Sequence, residues 1–276
     1  MTDTAYTYDS ARGRRPLLSD VSNLREYRGL LRLLVVRDLT VRYKRSVLGI
    51  WWTLLNPLLF SGVIWVVFGQ IFRFETPGVP YIVYLLSGVI WMGFFSQGVM
   101  TTGSAIVNSA SILTKVSVPP EIFSFAAAIA AGANFVLSLP ILIAAQLAFG
   151  VGVPWTVVLV PIPLIATVVL VTGIGLLVAS AAVFFFDVLD FTAVLVQLAS
   201  YLTPTFYPIE IIPEHLRWLV ALNPLYSYLE VFRGFMYGGT FAPAWQFAVM
   251  IGTAVLAFLI GVWVFSRSWK NLVVRI

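Results

Sequence analysis

Of the 276 residues 60% are hydrophobic and only 11% charged, against about 25% charged in soluble domains, so a surface that meets water on every side is excluded. The chain reads as an all-α integral membrane protein; its net charge of +5 does not make it a nucleic-acid binder, and its long unbroken apolar runs lack the alternation of a transmembrane β-barrel. With no cysteine and a single histidine, His215, it has no disulfide framework, iron–sulfur cluster or multi-histidine metal site.

Residues 1–23 are polar and lack an apolar signal core, so they are expected to form a flexible cytoplasmic N-terminus. Residues 24–45 carry a helical pattern: Leu24, Tyr27, Leu30, Leu31, Leu34, Val35 and Val41 fall within an arc of roughly 140°, with Arg25, Arg28 and Arg32 beside it. Such a helix lies on the inner membrane surface. It either only anchors the chain to anionic lipid or also turns its polar face to a cytoplasmic partner. Ten of the 17 basic residues precede the first apolar run; Arg267, Lys270 and Arg275 follow the last, and Lys115 sits in a central polar loop. By the positive-inside rule both termini and that loop are cytoplasmic, with 267–276 as a tail, and the number of crossings is even.

Six transmembrane helices within 46–266 satisfy this count. The first is expected at 51–72 and the second at 81–101. Residues 122–186 contain no Asp, Glu, Lys or Arg over 65 positions, enough for two crossings of about 20 residues each. Gly150, Gly152 and Pro154 divide them into 122–148 and 156–186. A fifth follows at 191–207 and a sixth at 245–265. Between the last two, 208–239 mixes Glu210, Glu214, His215, Arg217, Glu230 and Arg233 with apolar residues, and Pro213 and Pro224 break it. Two short re-entrant helices on the outer side, meeting near Asn223, fit better than a full crossing; at membrane depth their broken backbone needs cover from protein or a water-filled cavity. Glu230 and Arg233, three apart, share a helical face and can pair, so removing both charges is expected to be milder than removing either. The alternative is that both reach outer water.

No lysine follows a glycine, as a phosphate-cradling P-loop requires, so the chain has no ATPase site of that kind and reads as a transport component rather than an enzyme. The expected crossings carry no Asp, Glu or His of the sort that proton-coupled carriers use, which disfavours an ion-coupled secondary carrier. Asp187 and Asp190 read as a solvated inside turn before they read as a metal site. Polar and aromatic side chains mark candidate path faces: Trp52, Asn56 and Phe60 on the first crossing, and Gln197, Ser200, Tyr201 and Pro204 on the fifth. Each can equally serve helix packing or the interfacial aromatic belt; together, flat aromatic surfaces suit a carbohydrate chain.

Four stretches in order, RYKRSVLGIWWTLLNPLL (42–59), LTKVSVPPEI (113–122), FDVLDF (186–191) and TPTFYPIEIIPEHLRWLVALNPLYSYLEVFRG (203–234), resemble the membrane subunits of ABC-2 type exporters. The likeness is greatest to the polysaccharide export permeases for lipid-linked O-antigen, teichoic acid and mycobacterial galactan. Phe186 stands where many relatives carry Arg. The resemblance implies a permease subunit of an ATP-driven exporter of lipid-linked polysaccharide in the bacterial cytoplasmic membrane; an exporter of a small lipid or drug is the alternative. It implies two copies of this chain with two separate ATPase subunits, which bind ATP and Mg, so that this chain holds no cofactor. By the same resemblance Arg25, Arg28, Arg32, Lys115, Glu121, Asp187 and Asp190 couple to the ATPase. Trp52, Asn56, Phe60, Gln197 and Tyr201 would line the path, and 209–238, with Glu210, Glu214, Arg217, Asn223, Glu230 and Arg233, would form an outer gate.

Overall fold

A computed structural model of the protein describes residues 27–44, 46–76, 78–115, 118–185 and 187–272. The expected segment 1–23, Arg25, Phe186 and residues 273–276 lie outside the described residues. All regular structure among the described residues is helical, and five helices are long and apolar enough to cross a membrane: Trp51–Ile71, Tyr81–Asn108, Glu121–Ala148, Trp155–Ala182 and Ala244–Ser268.

Helix α1, Arg28–Tyr43, is the expected amphipathic helix. Its apolar face is turned to protein rather than lipid: Leu34 is buried, and Tyr27, Leu30, Leu31 and Val35 pack with it against Ile122, Phe123, Ala126 and Ala127. Small alanines at the receiving surface let the leucines seat closely. Val41, assigned to the same face from its angle, lies beyond that surface and is exposed.

Helix α2, Trp51–Ile64, runs on through a π-helical stretch, Trp65–Ile71, and contains Pro57, which removes one backbone donor. Helix α3, Tyr81–Asn108, starts after the extended Pro80 and extends seven residues past the expected end at 101. After the short α4, Ala110–Leu113, comes α5, Glu121–Ala148. Its end is a Schellman turn: Gly150 takes a positive φ of 76°, Val151 N donates to Gln146 O at 2.8 Å and Gly150 N to Leu147 O at 3.3 Å. Glycine adopts this conformation without strain. A 3-10 turn, Trp155–Leu159, leads into α6, Pro161–Ala182, with proline at its first position where no donor is lost.

The fifth expected crossing differs. Helix α7 is Asp187–Leu202, 16 residues, about 24 Å long at 1.5 Å per residue, starting before and ending before the expected 191–207. Pro204 disfavours helical backbone at Thr203: Thr203 N makes a last helical bond, to Ala199 O at 3.0 Å, and its hydroxyl donates to the same carbonyl at 2.7 Å. The chain then forms two 3-10 turns, Ile209–Ile211 and Glu214–Leu216. Two short helices follow: α8, Arg217–Leu222, and α9, Pro224–Arg233, the latter continued by a π-helical turn, Gly234–Gly238. Helix α10, Ala244–Leu272, closes the fold.

The most extensive helix pairing is α10 with α6, followed by α3 with α5 and with α6. Small residues permit the first: a Cβ at Gly173 would meet the Ala257 backbone at 2.4 Å, and one at Gly261 the carbonyl of Gly173 at 2.3 Å. The core is aromatic at the end away from α1. Trp91 stacks on Phe95 at 6.2 Å and meets Tyr228 at 6.1 Å, while Phe135 lies between Phe94 and Phe232 at 4.9 and 5.4 Å. Helix α9 is thus inserted among the long helices, and the Tyr228 hydroxyl donates to Met250 O of α10 at 2.6 Å.

Candidate functional site

A dense polar cluster forms where α9 meets the start of α3, at the end remote from α1. Asn223 caps α9: its Oδ1 accepts from Leu225 N at 3.1 Å, and its Nδ2 donates to Thr203 Oγ1 at 2.9 Å. This fixes α9 relative to the turn that ends α7. Two and a half helical turns on, Arg233 is buried, with only 4% of its side chain exposed. Its Nη1 donates to Pro204 O at 2.9 Å, its Nε to Ser87 Oγ at 3.2 Å and its Nη2 to Tyr84 O at 3.2 Å. The guanidinium also sits 3.6 Å from the Tyr84 ring centroid and 3.5 Å from the Glu230 carboxylate.

The same segment is held from a second side. Tyr84 Oη donates to Pro204 O and Tyr207 O, both at 2.9 Å, and Tyr81 Oη to Phe206 O at 2.6 Å. Gly88 makes the approach possible, since a Cβ there would meet Thr205 O at 2.8 Å and Arg233 Nη2 at 3.0 Å. Within non-helical residues 203–207 the carbonyls of Pro204, Phe206 and Tyr207 therefore accept from side chains of α3 and α9, and Thr203 O accepts from Thr205 N at 2.6 Å, as a broken backbone removed from water requires.

Of the expected gate residues, Glu230 and Arg233 share a face and lie 3.5 Å apart, but Arg233 is buried while Glu230 is partly exposed, and Glu230 is only one of five contacts of the guanidinium. Glu210 and Glu214 are exposed. Arg217 bonds within its own turn, from Nε to Ile212 O at 3.1 Å and from Nη2 to Glu210 O at 3.4 Å, with Glu214 4.0 Å away. Asn223 has the structural cap just described. Tyr81, Tyr84, Ser87 and Gly88 were missed by sequence reading; the signal was polar residues recurring on one side of an otherwise apolar helix start.

The expected path residues lie on the two least enclosed helices. Trp52, Asn56 and Phe60 are exposed on α2, and Gln197 and Tyr201 on α7. Phe206 brings two of them together, its ring lying 6.1 Å from Phe60 and 6.5 Å from Tyr201. The expected coupling residues gather at the opposite end. Arg28, Arg32 and Lys115 are exposed, Glu121 is buried in the first turn of α5, and Asp187 and Asp190 are exposed in the first turn of α7. There their charge complements the helix N-terminus. Leu113 packs against the same cluster as α1 and against a second one that also receives Val183 and Phe184, so α1, residues 109–115 and the chain between α6 and α7 lie toward one end. No group of His, Asp and Glu able to hold a metal occurs among the described residues.

Long apolar helices, packed through small residues and closed at one end by a buried arginine hub, define a multi-pass membrane protein. The chain belongs to the ABC-2 type transporter family, whose profile matches residues 29–237. It is 32% identical over 219 residues to the O-antigen export system permease protein RfbA of Myxococcus xanthus, covering 79% of this chain and 84% of that protein. It is 28% identical over 241 residues to the RfbA permease of Klebsiella pneumoniae, covering 86% and 91%.

Proposed function

We propose that this chain is the permease subunit of an ATP-driven exporter that carries a lipid-linked polysaccharide across the bacterial cytoplasmic membrane, itself not an enzyme. Similarity along most of the chain to permeases named for O-antigen export carries the reading. Two copies form the conduit. In the most apolar stretch of α2 only 6% of residues are buried, against 72% in α3, and an exposed face bearing Asn56, Trp52 and Phe60 calls for a partner or an aqueous path rather than lipid. With α7 as a short fifth crossing the chain crosses six times and both termini are cytoplasmic. Residues 209–238 re-enter the membrane from outside as a gate, held by the Arg233 hub. Two separate ATPase subunits bind ATP and Mg and dock on the end formed by α1, the 109–118 loop and Asp187 with Asp190.

The test is reconstitution. The chain and a cognate ATPase in proteoliposomes are expected to move a polyprenyl-linked glycan in an ATP-dependent manner, and the chain alone to hydrolyse no ATP. Export driven by an ion gradient without the ATPase would refute the reading.

A further inference from the structure

A cleft of about 480 Å³ opens between α1, α3 and α5, within the roughly 300 to 1,000 Å³ of small-molecule sites. Its α3 wall carries Gln97, Thr101, Ser104 and Asn108, spaced to share one helical face and spanning about 16 Å from first to last. Asn134 stands on the facing wall among Ala127, Ala130 and Ala131. Arg37 and Asp38 of α1 form the lip at the end where the coupling residues gather.

The wall is polar but only partly satisfied. The Thr101 and Ser104 hydroxyls donate back to the helix, to Gln97 O at 2.9 Å and Met100 O at 2.8 Å, and Asn108 Nδ2 donates to Ser104 Oγ at 3.2 Å. The hydroxyl oxygens keep acceptor capacity, and Asn108 keeps its carbonyl oxygen. The Gln97 carboxamide, half-buried, bonds no described residue. Hydrocarbon against this face would leave these groups unpaired, at a cost of a few kcal/mol for such an amide.

Charge selects among polar occupants. Among the described residues Arg37 is the one cation lining the cleft, and its Nε and Nη2 bond Asp38 Oδ1 at 2.9 and 2.8 Å. The described lining is therefore neutral overall, and among the described residues no ammonium lines the cavity to hold a phosphate. Carboxamides and hydroxyls on one side and a smooth alanine wall on the other match a ligand with many hydroxyl groups and apolar ring faces. We infer that this cleft binds a neutral glycosyl group presented from the α1 end of the membrane domain. The assignment of that sugar to the lipid-linked substrate rests on the export reading above.

Because the sequence has no cysteine, Thr101→Cys supplies a single thiol in the cleft. The full chain, with its ATPase in lipid nanodiscs, is reacted with a water-soluble maleimide in the presence of octyl maltoside, octyl phosphate or free maltose, each below any micellar concentration. Octyl maltoside at about ten times its dissociation constant is expected to slow labelling about tenfold, and octyl phosphate to leave it unchanged. Protection by free maltose as well would place recognition in the sugar alone, while its failure would add the alkyl chain to the determinant; both support a glycosyl site. Adding Gln97→Leu should weaken protection about three- to tenfold, the value of one neutral hydrogen bond. If Thr101→Cys fails to fold, Asn108→Cys at the exposed end of α3 gives the same readout. Equal protection by octyl phosphate, no protection by the maltoside, or a thiol never labelled because lipid or a second copy covers it would each overturn the inference. Protection is read without transport, so its loss with export intact sinks only the cleft, and lost export with protection intact sinks only the export reading.

Discussion

Arg233→Met keeps most of the side chain's volume and removes the guanidinium, and its cost follows from who else serves the same acceptors. Three hydrogen bonds of 2.9 to 3.2 Å disappear, each worth about 1.5 to 3 kcal/mol for a charged donor. None of the acceptors is orphaned, however. Pro204 O still accepts from Tyr84 Oη, and Tyr84 O from Ser87 Oγ at 2.6 Å. The loss should therefore stay below the full sum, at about 3 to 5 kcal/mol, the upper range for a single substitution that breaks a buried hydrogen-bond network. Glu230 is different: its side chain is 34% exposed, and Arg233 keeps three other acceptors without it. Glu230→Gln should cost under about 1 kcal/mol. The double substitution should then match Arg233→Met, reversing the rescue that the sequence spacing alone suggests. In nanodiscs, at about 2 to 4 °C per kcal/mol, Arg233→Met lowers Tm by at least about 6 °C and Glu230→Gln by less than about 4 °C. A Glu230→Gln variant as damaged as Arg233→Met, or a double variant restored to the native Tm, would show that the ion pair dominates and refute the reasoning.

Gly173→Ala forces a Cβ into the backbone of α10, so about 1 to 3 kcal/mol or more is lost. Gly252→Ala, where nothing lies within 4 Å, should be neutral or gain up to about 1 kcal/mol; equal Tm for the two variants would contradict the close α6–α10 contact. Asn223→Ala should cost about 0.5 to 2 kcal/mol as a lost cap and speed amide exchange at Leu225, with Asn223→Asp falling between because it keeps the cap oxygen but not the donation to Thr203. Asp187→Lys with Asp190→Lys removes charges that favour the α7 N-terminus by about 0.3 to 1 kcal/mol each. The variant should remain inserted yet lose ATPase-coupled export, and unchanged assembly and export would refute the coupling role.

Much of this architecture is legible because lipid enforces a simple rule: charge-free runs of sufficient length become helices, and prolines and glycines end them. Pro80, Gly150 and Pro161 mark boundaries for physical reasons visible in one dimension. Helix α7 was harder, because a hydrophobic run continues through Phe206 while Pro204 and the threonines on either side of it end the helix earlier. The distal site was half legible. Spacing alone pairs Glu230 with Arg233, but the acceptors that dominate are backbone carbonyls, which leave no trace in side-chain chemistry, and Tyr84 and Ser87 lie 146 or more positions away in sequence. The protein-facing orientation of α1 was hidden for a related reason: an apolar arc fits lipid or alanines equally well.

The fold divides into a body and two loosely held helices, and the hub stands where they join. Helices α3, α5, α6 and α10 interlock through small residues, whereas α2 is scarcely buried and α7 buries only Thr192 along its length. Both loose helices touch Phe206, α2 through Phe60 and α7 through Tyr201, and Phe206 belongs to the segment that Tyr81, Tyr84 and Arg233 pin to the body. Helix α7 is thus pinned at its 202 end, while the carboxylates of Asp187 and Asp190 at its other end stand exposed. Polar side chains assigned to the path stand on the two least enclosed helices, and the charged groups assigned to coupling stand at the 187 end of one of them. Under the proposed function, force applied at Asp187 and Asp190 would swing α7 about the fixed 203–207 segment. The Arg233 hub would serve as the anchor of that motion: broken backbone tolerates a pivot only where its carbonyls keep their donors, and side chains of α3 and α9 supply them at Pro204, Phe206 and Tyr207.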